Sequence, residues 1–305
     1  MRAKSALLAI VALAGCQSPG ASPASSPPVE TQTAVQSQAR ALSCDVGTRD
    51  VSVGSTKVRI HVPSAAQPPG GLPMVMVLHG STDDGPVVQS QTQFDEVADA
   101  QGFVTLYPSA ADGDWPLSDA GVQQINDVAS AVECADPSRI YLAGFSRGSA
   151  MAFRVACTQP RLFAAFGGVA FADHIPGCST SPPAPWIYFH GKKDQTVSYQ
   201  DGVLRESGRR TPSAKSAMRW WGRHNGCQSG PTRRSIGSDT VLRVWTSCRR
   251  DADVHFYTLT KGDHQWPFAA RPNAPMLQPG QSWAAVGATD EMWDFFSDRS
   301  LNTVG

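Results

Sequence analysis

The stretch Arg139-Ile140-Tyr141-Leu142-Ala143-Gly144-Phe145-Ser146-Arg147-Gly148 joins an apolar run to a Gly-x-Ser-x-Gly sequence. The segment from Ser149 to Ala156 that follows it has the composition of a helix. A strand, this turn and a helix form the sharp bend that exposes a nucleophilic serine, because the two glycines permit so tight a turn. Ser146 is therefore either an activated nucleophile or part of an ordinary strand-to-helix turn, and the rest of the chain bears on the choice.

Short apolar runs alternate with segments of helical spacing along the chain. Strands are predicted at 58–62, 74–78, 103–107, 139–143, 166–170, 186–189, 241–245 and 254–259. Helices are predicted at 93–101, 125–132, 149–156, 214–223 and 289–296. Continuous apolar strands that alternate with helices are typical of a mainly parallel sheet with helices on both faces. We therefore predict an α/β fold whose functional groups lie beyond the carboxyl ends of the strands.

The beginning of the chain resembles an export signal. Residues 1–15 combine Arg2 and Lys4 with an apolar stretch too short to span a bilayer. Leu13-Ala14-Gly15-Cys16 resembles the lipobox of bacterial lipoproteins, which implies cleavage before Cys16 and attachment of a lipid to its thiol. A secretory signal cleaved after Ala14 and a buried hydrophobic start are the alternatives.

The segment 16–42 is rich in Ser, Pro, Ala and Gln, so it has little to bury and is expected to form a flexible tether. The remaining residues, 43–305, are expected to form one catalytic domain. With 41% hydrophobic residues, 17% charged residues and no net charge, the chain has the composition of an ordinary globular protein. Because there is no basic surplus, we predict no nucleic-acid partner. We also expect the protein to be a monomer.

Six cysteines remain when Cys16 is set aside, an even number in a chain with an apparent export signal. Disulfides are therefore favoured over free thiols. Many pairings are possible, and proximity along the chain favours Cys157–Cys178, Cys227–Cys248 and Cys44–Cys134. Neither a Cys-x-x-Cys pair nor a His-x-x-x-His spacing occurs, so we predict no metal site.

A serine hydroxyl needs a base to remove its proton and a carboxylate to orient that base. His264 lies in a loop directly after the last predicted strand, whereas His79 and His190 precede glycines at strand ends and are expected to shape turns. Asp194 also follows a strand and could reach the His264 loop. We predict that Ser146, Asp194 and His264 form a catalytic triad. A surface histidine and a solvated turn aspartate are the alternatives for the latter two.

The chain order Ser, Asp, His is that of the α/β-hydrolases, so we predict that fold without a large lid domain. In these proteins a loop after an early strand supplies the second donor to the oxyanion. Leu78-His79-Gly80-Ser81 stands at that place. The backbone N–H groups of Ser81 and Arg147 are therefore the predicted donors.

Four side chains near this centre are candidates for contact with the substrate. Phe145, Trp115 and Trp266 are candidates for the wall of a substrate pocket, although tryptophans are equally ordinary core residues. Arg147 puts a cation in the first turn of a helix, where the helix dipole disfavours it. Its side chain either binds an acidic group of the substrate, or extends to solvent, or pairs with an acid.

Several segments resemble the secreted polyhydroxybutyrate depolymerase and feruloyl esterase family. They are Leu78-His79-Gly80, 103–108, 144–148, 163–166, 190–194, Trp221 through Asn225-Gly226-Cys227, and 264–267. The resemblance covers nearly the whole predicted catalytic domain. It implies hydrolysis of carboxylic esters outside the cell, with Ser146 as nucleophile, His264 as base and Asp194 as orienting acid.

The sequence departs from the family pattern at four positions close to the predicted pocket. Arg147 stands where the family usually has a small residue, and Ser149 and Asp263 stand where it usually has glycine. Ser81 replaces a cysteine that often follows His-Gly. None of these changes removes a predicted catalytic group.

We predict an exported serine carboxylic-ester hydrolase that forms an acyl-enzyme and uses neither a metal nor an organic cofactor. A lipid on Cys16 would hold it at the cell envelope, either on the outer membrane or at the cell surface. One alternative is a serine peptidase related to the prolyl oligopeptidases, which share the order of the triad. Another is a non-catalytic binding lipoprotein on a hydrolase fold. Aromatic, acetyl-xylan, polyester and short-chain esters all remain possible substrates.

Overall fold

Ten strands pair into one sheet in the computed structural model of the protein, which describes residues 42–173, 178, 181–204, 207–269 and 283–302. These strands are β1 (Gly47–Val53), β2 (Thr56–Val62), β3 (Leu72–Leu78), β4 (Val104–Pro108), β5 (Ala135–Phe145), β6 (Ala165–Val169), β7 (Trp186–Gly191), β8 (Ser229–Ile236), β9 (Thr240–Thr246) and β10 (Val254–Leu259). A separate short pair consists of β11 (Phe268–Ala269) and β12 (Trp283–Ala284).

The order across the sheet is β1-β2-β4-β3-β5-β6-β7-β10-β9-β8. The six central strands run parallel to one another, and they are β4, β3, β5, β6, β7 and β10. Antiparallel strands extend the sheet on both sides, β2 and β1 at one edge and β9 and β8 at the other. The sequence-based prediction of a mainly parallel sheet is confirmed, and the carboxyl ends of the central strands share one edge of the sheet.

In the described part of the chain, six α-helices cover both faces of the sheet. They are α1 (Gly85–Thr92), α2 (Phe94–Gln101), α3 (Asp119–Ser130), α4 (Arg147–Thr158), α5 (Ala214–His224) and α6 (Ala288–Ser297). Side chains of α3, α4 and α5 pack into one buried cluster, and those of α1, α2 and α6 pack into a second. Single 3₁₀ turns occur at Pro160–Leu162 and Arg249–Asp251.

A polar side chain joins helix α5 to the sheet within the first cluster. Asn225 is 0% exposed and follows the last residue of α5. Its side chain accepts from the N–H of Ala184 at 3.1 Å and donates to the carbonyls of Ala184 and Ala252, both at 2.7 Å. These bonds satisfy backbone groups just before β7 and β10, which would otherwise be buried without partners. Asn225 thereby fixes the start of the two strands whose far ends carry Asp194 and His264.

Three disulfides connect the six predicted cysteines in the pairs that proximity favours. Cys44–Cys134 joins the segment before β1 to the segment before β5. Cys157–Cys178 joins the last turn of α4 to the segment between β6 and β7, and Cys227–Cys248 joins the residues that follow α5 and β9. Disulfides persist in oxidising compartments, so they indicate an exported protein.

The predicted export signal at 1–15, the lipidation site Cys16 and residues 17–41 of the predicted tether lie outside the described residues. Those expectations stay predictions. Within the part of the chain that the structure describes, no helix combines the length and apolar character needed to cross a membrane.

Besides the short pair β11 and β12, two strands of the main sheet and one helix are absent from the sequence-based prediction. Strand β1 alternates half-buried and exposed residues at the sheet edge, and β8, Ser-Gly-Pro-Thr-Arg-Arg-Ser-Ile, is exposed along almost its whole length. Neither therefore shows an apolar run. Helix α1 begins with Gly85-Pro86 after Asp84, whose carboxylate accepts from the Val87 N–H at 3.0 Å. Glycine and proline suggest a loop, but proline is well suited to the first turn of a helix with an aspartate cap.

A half-buried histidine makes the stability of this fold depend on pH. His255 lies on β10 with its ring 4.8 Å from that of Phe295. Burial, together with the nearby charge of Arg299, lowers the pKa of His255 to about 4. In the unfolded chain the pKa is about 6.5. The unfolded state therefore binds the proton first as the pH falls, and stability is lost between these two values.

We expect the free energy of unfolding to fall by up to about 3 kcal/mol from His255 alone between pH 6.5 and pH 4. His255→Gln removes the titrating group, so its urea unfolding should depend less on pH in this range. Burial also lowers the pKa values of His79 and His224, so the slope should be reduced and not abolished. Equal slopes for the two proteins would contradict the assignment.

Candidate active site

Ser146 stands on the turn between β5 and α4 in a backbone conformation that non-glycine residues rarely adopt, with φ 50° and ψ −117°. Two glycines make the turn possible. A Cβ on Gly144 would lie 2.3 Å from the carbonyl carbon of Gly148, and one on Gly148 would lie 2.3 Å from the Leu78 oxygen. Neither position has room for a side chain. The turn therefore holds Ser146 in a strained conformation at the end of the strand, as in a nucleophile elbow.

The three residues of the predicted triad lie within hydrogen-bond distance of one another. His264 Nε2 is 3.0 Å from Ser146 Oγ, and His264 Nδ1 is 2.8 Å from Asp194 Oδ2. Asp194 follows β7 and His264 follows β10, which are neighbouring parallel strands. When Nδ1 carries the hydrogen that is donated to the carboxylate, Nε2 is left to accept the proton of the serine hydroxyl.

The Asp194 carboxylate is completely buried, with 0% of its side chain exposed. Its Oδ1 accepts from the backbone N–H groups of Thr196 at 2.8 Å and Val197 at 2.7 Å, and His190 Nε2 lies 3.1 Å from Oδ2. Burial by itself would raise the pKa of this carboxyl. The hydrogen bonds from His190 and His264 outweigh burial and hold the pKa well below its usual range. Asp194 therefore stays ionised, as an acid that orients an imidazole must.

His190 is part of this site, although the sequence suggests only a turn-forming role. Its Nε2 is 3.0 Å from the Val197 carbonyl, and its Nδ1 is 2.7 Å from the Tyr188 hydroxyl. Because the Val197 carbonyl and the Asp194 carboxylate only accept, Nε2 carries a hydrogen that it shares between these two groups. The ring is 1% exposed, and both of its nitrogens contact groups other than Ser146. Its spacing of four residues before Asp194 is the only signal of this contact in the sequence.

The loops that carry Asp194 and His264 are joined through their backbones. Lys193 N–H donates to the Gly262 carbonyl at 2.9 Å, and Asp263 Oδ1 accepts from the Gln195 N–H at 3.0 Å. A Cβ on Gly191 would lie 2.4 Å from the Gly262 oxygen. The two loops meet at this distance only because residue 191 has no side chain.

The loop after β3 passes over the other side of Ser146. A Cβ on Gly80 would lie 3.5 Å from that of Ser146. The buried His79 ring holds this loop, because its Nδ1 donates to the Gly80 carbonyl at 2.6 Å and its Nε2 accepts from the Ala110 N–H at 3.0 Å. Ser81, the next residue, is thereby placed beside the nucleophile. Within the described residues, neither the Ser81 nor the Arg147 backbone N–H has an assigned acceptor in the loops and caps.

Asp114 connects these two predicted oxyanion donors and was not found from the sequence. Ser81 Oγ donates to Asp114 Oδ1 at 3.0 Å, and Arg147 Nε lies 3.3 Å from the same oxygen. Arg147 Nε also donates to the Trp115 carbonyl at 3.1 Å. Of the alternatives for Arg147, the structure thus shows pairing with an acid. Asp114 lies in an exposed polar loop, and nothing in its local sequence distinguishes it from a solvated aspartate.

The aromatic candidates for the pocket wall differ in exposure. Phe145 is half-buried, and its ring centroid is 5.2 Å from that of His264. Trp115 and Trp266 are 0% and 3% exposed, and their N–H groups donate to the His79 carbonyl and to Thr289 Oγ1, each at 3.0 Å. Both tryptophans are core residues, which corrects the prediction that they line a pocket. In the described part of the chain, no group of three or more His, Cys, Asp or Glu side chains could hold a metal ion.

The contact between the two catalytic loops yields a prediction. Gly191→Ala forces the Gly262 carbonyl away, because the new Cβ would otherwise lie 2.4 Å from its oxygen. His264 then moves relative to Ser146, so the serine is less activated. We expect labelling of the protein by a fluorophosphonate probe to slow by at least about 100-fold, since small displacements of reacting groups have effects of this size.

The matched control is Gly70→Ala, because a Cβ on Gly70 has no neighbour within 4 Å and its backbone is not in the left-handed region. Its labelling rate should equal that of the unaltered protein. Equal rates for Gly191→Ala and Gly70→Ala, with both proteins folded by circular dichroism, would show that the loop contact does not position His264.

Comparison with known proteins supports the relationship that the motifs indicate. A Nocardia uniformis subsp. tsuyamanensis protein named as an esterase, NocK, is 26% identical over 93% of this chain and 92% of its own length. Feruloyl esterase B of Piromyces equi is 30% identical, and acetylxylan esterase A of Aspergillus ficuum is 29% identical. These two matches cover 43% and 50% of this chain, and this chain spans 26% and 52% of their lengths.

Among solved structures, the acetyl xylan esterase from Aspergillus awamori superposes with a TM-score of 0.57 and 17% identity. The match covers 82% of this chain and 99% of that structure, so the two proteins share a fold. No family model matches the chain. The fold is that of the α/β-hydrolases, and the similar proteins are named esterases, so the two comparisons together identify the chain as a carboxylic ester hydrolase.

Proposed function

We propose that the protein is an exported serine esterase in which Ser146, His264 and Asp194 form the catalytic triad. The observation that carries this proposal is the continuous chain of contacts from Ser146 Oγ through the His264 ring to Asp194, at 3.0 Å and 2.8 Å. Both distances are within the range in which a base can remove a hydroxyl proton.

The reaction proceeds through a covalent intermediate in this proposal. Ser146 Oγ attacks the ester carbonyl while His264 Nε2 takes its proton, and the charged imidazole is stabilised by the buried carboxylate of Asp194. His264 then gives the proton to the departing alcohol, which leaves an acyl group on Ser146. A water molecule attacks this acyl-enzyme with His264 again as base, and the acid is released.

Charge that develops on the carbonyl oxygen requires hydrogen-bond donors fixed in advance. The backbone N–H groups of Ser81 and Arg147 are the proposed donors. Their support is the position of the Gly80 loop directly over Ser146 and the start of α4 immediately after it. Asp114 binds both side chains and so acts as a positioning residue for the two donors.

The substrate is proposed to be an ester of a plant-type aromatic acid or an acetylated polysaccharide, because the similar proteins are named feruloyl and acetylxylan esterases. The half-buried Phe145 ring beside His264 offers an apolar contact for an acyl group. Hydrolysis of polyhydroxybutyrate remains a prediction from the resemblance in the sequence.

The proposed organisation has residues 1–15 as the export signal, 16–42 as a lipidated tether that begins at Cys16, and 43–305 as the catalytic domain, acting as a monomer at the cell envelope. Three disulfides in the described part support a site of action outside the reducing cytoplasm.

Removal of the nucleophile tests the triad. Ser146→Ala should lower kcat on a p-nitrophenyl ester by roughly 10⁴-fold or more and abolish labelling by a fluorophosphonate, because no hydroxyl remains to attack. Ser130→Ala, which changes an exposed serine at the end of α3, is the matched control and should keep full activity. Near-normal turnover by Ser146→Ala would refute the assignment. Absence of labelling in the folded, unaltered protein would instead favour a binding protein.

Asp114→Ala tests the positioning role. Because donors to the oxyanion act mainly in the transition state, we expect kcat to fall about tenfold while KM stays near its original value. Asp114→Asn keeps an oxygen that can accept from the Ser81 hydroxyl, so it should recover most of the loss. Asp112→Ala removes a neighbouring exposed acid and should have no effect. A rise in KM without a change in kcat would exclude this role.

A further inference from the structure

A groove lined by arginines begins at the residue that follows Ser146. It encloses about 780 Å³ and lies between helix α4 and the segment 207–212. Arg147 and Arg154 contribute from the helix, Arg209 and Arg210 contribute from the segment, and Leu117 and Ala150 are among the apolar lining residues. We call this feature the arginine groove. Its volume is within the range of ordinary ligand sites.

The helix sets the direction of the groove. Arg147, Ala150 and Arg154 are three and seven residues apart, so they lie on one face of α4. With a rise of 1.5 Å per residue, the two arginines are separated by about 10 Å along the helix axis. The groove therefore leads away from the nucleophile over about two helical turns, with a cation at each end of that path.

Three of the four guanidinium groups form an ion pair with an aspartate, each through one nitrogen. Arg147 uses Nε for Asp114, Arg154 uses Nη2 for Asp119 at 2.8 Å, and Arg209 uses Nη2 for Asp173 at 3.5 Å. A guanidinium has five N–H donors, so other donors remain on each of them. Asp114 and Asp119 are 48% and 89% exposed, and such solvated pairs contribute little energy.

Arg210 differs from the other three. It is exposed and makes no ion pair within 4.0 Å with any carboxylate in the described ranges. Among the described residues that line the groove, four are cations and one, Asp173, is an anion. A cleft with a surplus of one sign of charge concentrates ligands of the opposite sign. Arginine in particular suits planar carboxylates, which it binds through two parallel hydrogen bonds.

We propose that the arginine groove is a subsite for carboxylate groups on the ester substrate. The inference rests on the proposed function of Ser146 and specifies its substrate class, esters whose acyl or alcohol part carries a negative charge. Because cations recur along the groove, an extended acidic sugar chain with successive carboxylates fits it better than a small neutral ester.

Two matched pairs of esters test the subsite and show which side of the ester it serves. On the acyl side, mono(p-nitrophenyl) adipate is compared with p-nitrophenyl hexanoate, which has the same chain length without the carboxylate. On the alcohol side, p-acetoxybenzoate is compared with p-acetoxybenzamide. We expect kcat/KM for the acidic member of one pair to exceed that of its neutral partner about tenfold at low salt. About 1 M NaCl should largely remove the difference.

Substitutions then locate the effect. The double variant Arg209→Gln/Arg210→Gln should reduce the acidic-to-neutral ratio to near one, and Arg210→Glu should bring it below one. The matched control is Arg233→Gln/Arg234→Gln on the exposed strand β8, which removes the same charge outside the groove and should keep the ratio.

The inference is overturned if neither pair shows a preference, or if the preference survives the changes at Arg209 and Arg210. Hydrolysis of the neutral esters in those cases would leave the proposed function intact. If no ester of either pair is hydrolysed, the proposed function fails first, and the subsite falls with it.

Discussion

The close approach of backbone segments at the carboxyl edge of the sheet is the constraint on which the site depends. Gly148 lies against the Leu78 carbonyl, Gly144 against Gly148, and Gly191 against the carbonyl of Gly262. At each contact a Cβ would come within 2.4 Å of a backbone atom. Loops separated widely in the sequence can therefore bring a hydroxyl, an imidazole and a carboxylate within hydrogen-bond distance. Glycine at these places is required by distance and not by flexibility.

Electrostatics gives the two acids of the site different tasks. Asp194 is fully buried, and a buried charge is costly unless hydrogen bonds compensate it. Two backbone N–H groups and two imidazoles provide that compensation, so the carboxylate remains charged where it orients His264. Asp114, by contrast, is half exposed, so its charge costs little desolvation free energy. It is suited to connecting Ser81 with Arg147, and it leaves part of the Arg147 guanidinium for the arginine groove.

Burial explains which elements could be predicted from the sequence. Strands such as β3 and β7 are buried along their whole length, so continuous apolar runs at 74–78 and 186–189 identify them. Strand β8 is exposed and owes its position to pairing with β9 at the sheet edge. Its sequence has no apolar periodicity. Hydrogen bonds between backbones do not depend on the type of side chain, so this strand could not be predicted from the sequence.

The same distinction holds for the site. Ser146, Asp194 and His264 could be selected because each directly follows a strand and because a triad needs these residue types in a known order. His190 and Asp114 could not, since their roles consist of contacts with distant segments: a ring nitrogen 3.1 Å from Asp194 and a carboxylate shared by Ser81 and Arg147. Trp115 and Trp266 were misplaced because residue type does not distinguish a buried ring from one in a pocket wall.

The sequence by itself therefore determined the fold class and the strand ends that carry the candidate triad, because periodicity and chain order can be read along the chain without distances in space. The tertiary structure alone decided which groups surround the Asp194 carboxylate, which aromatic rings are buried, and that Arg147 shares a groove with Arg154, Arg209 and Arg210. These features depend on distances between loops and helices that meet only when the sheet is assembled.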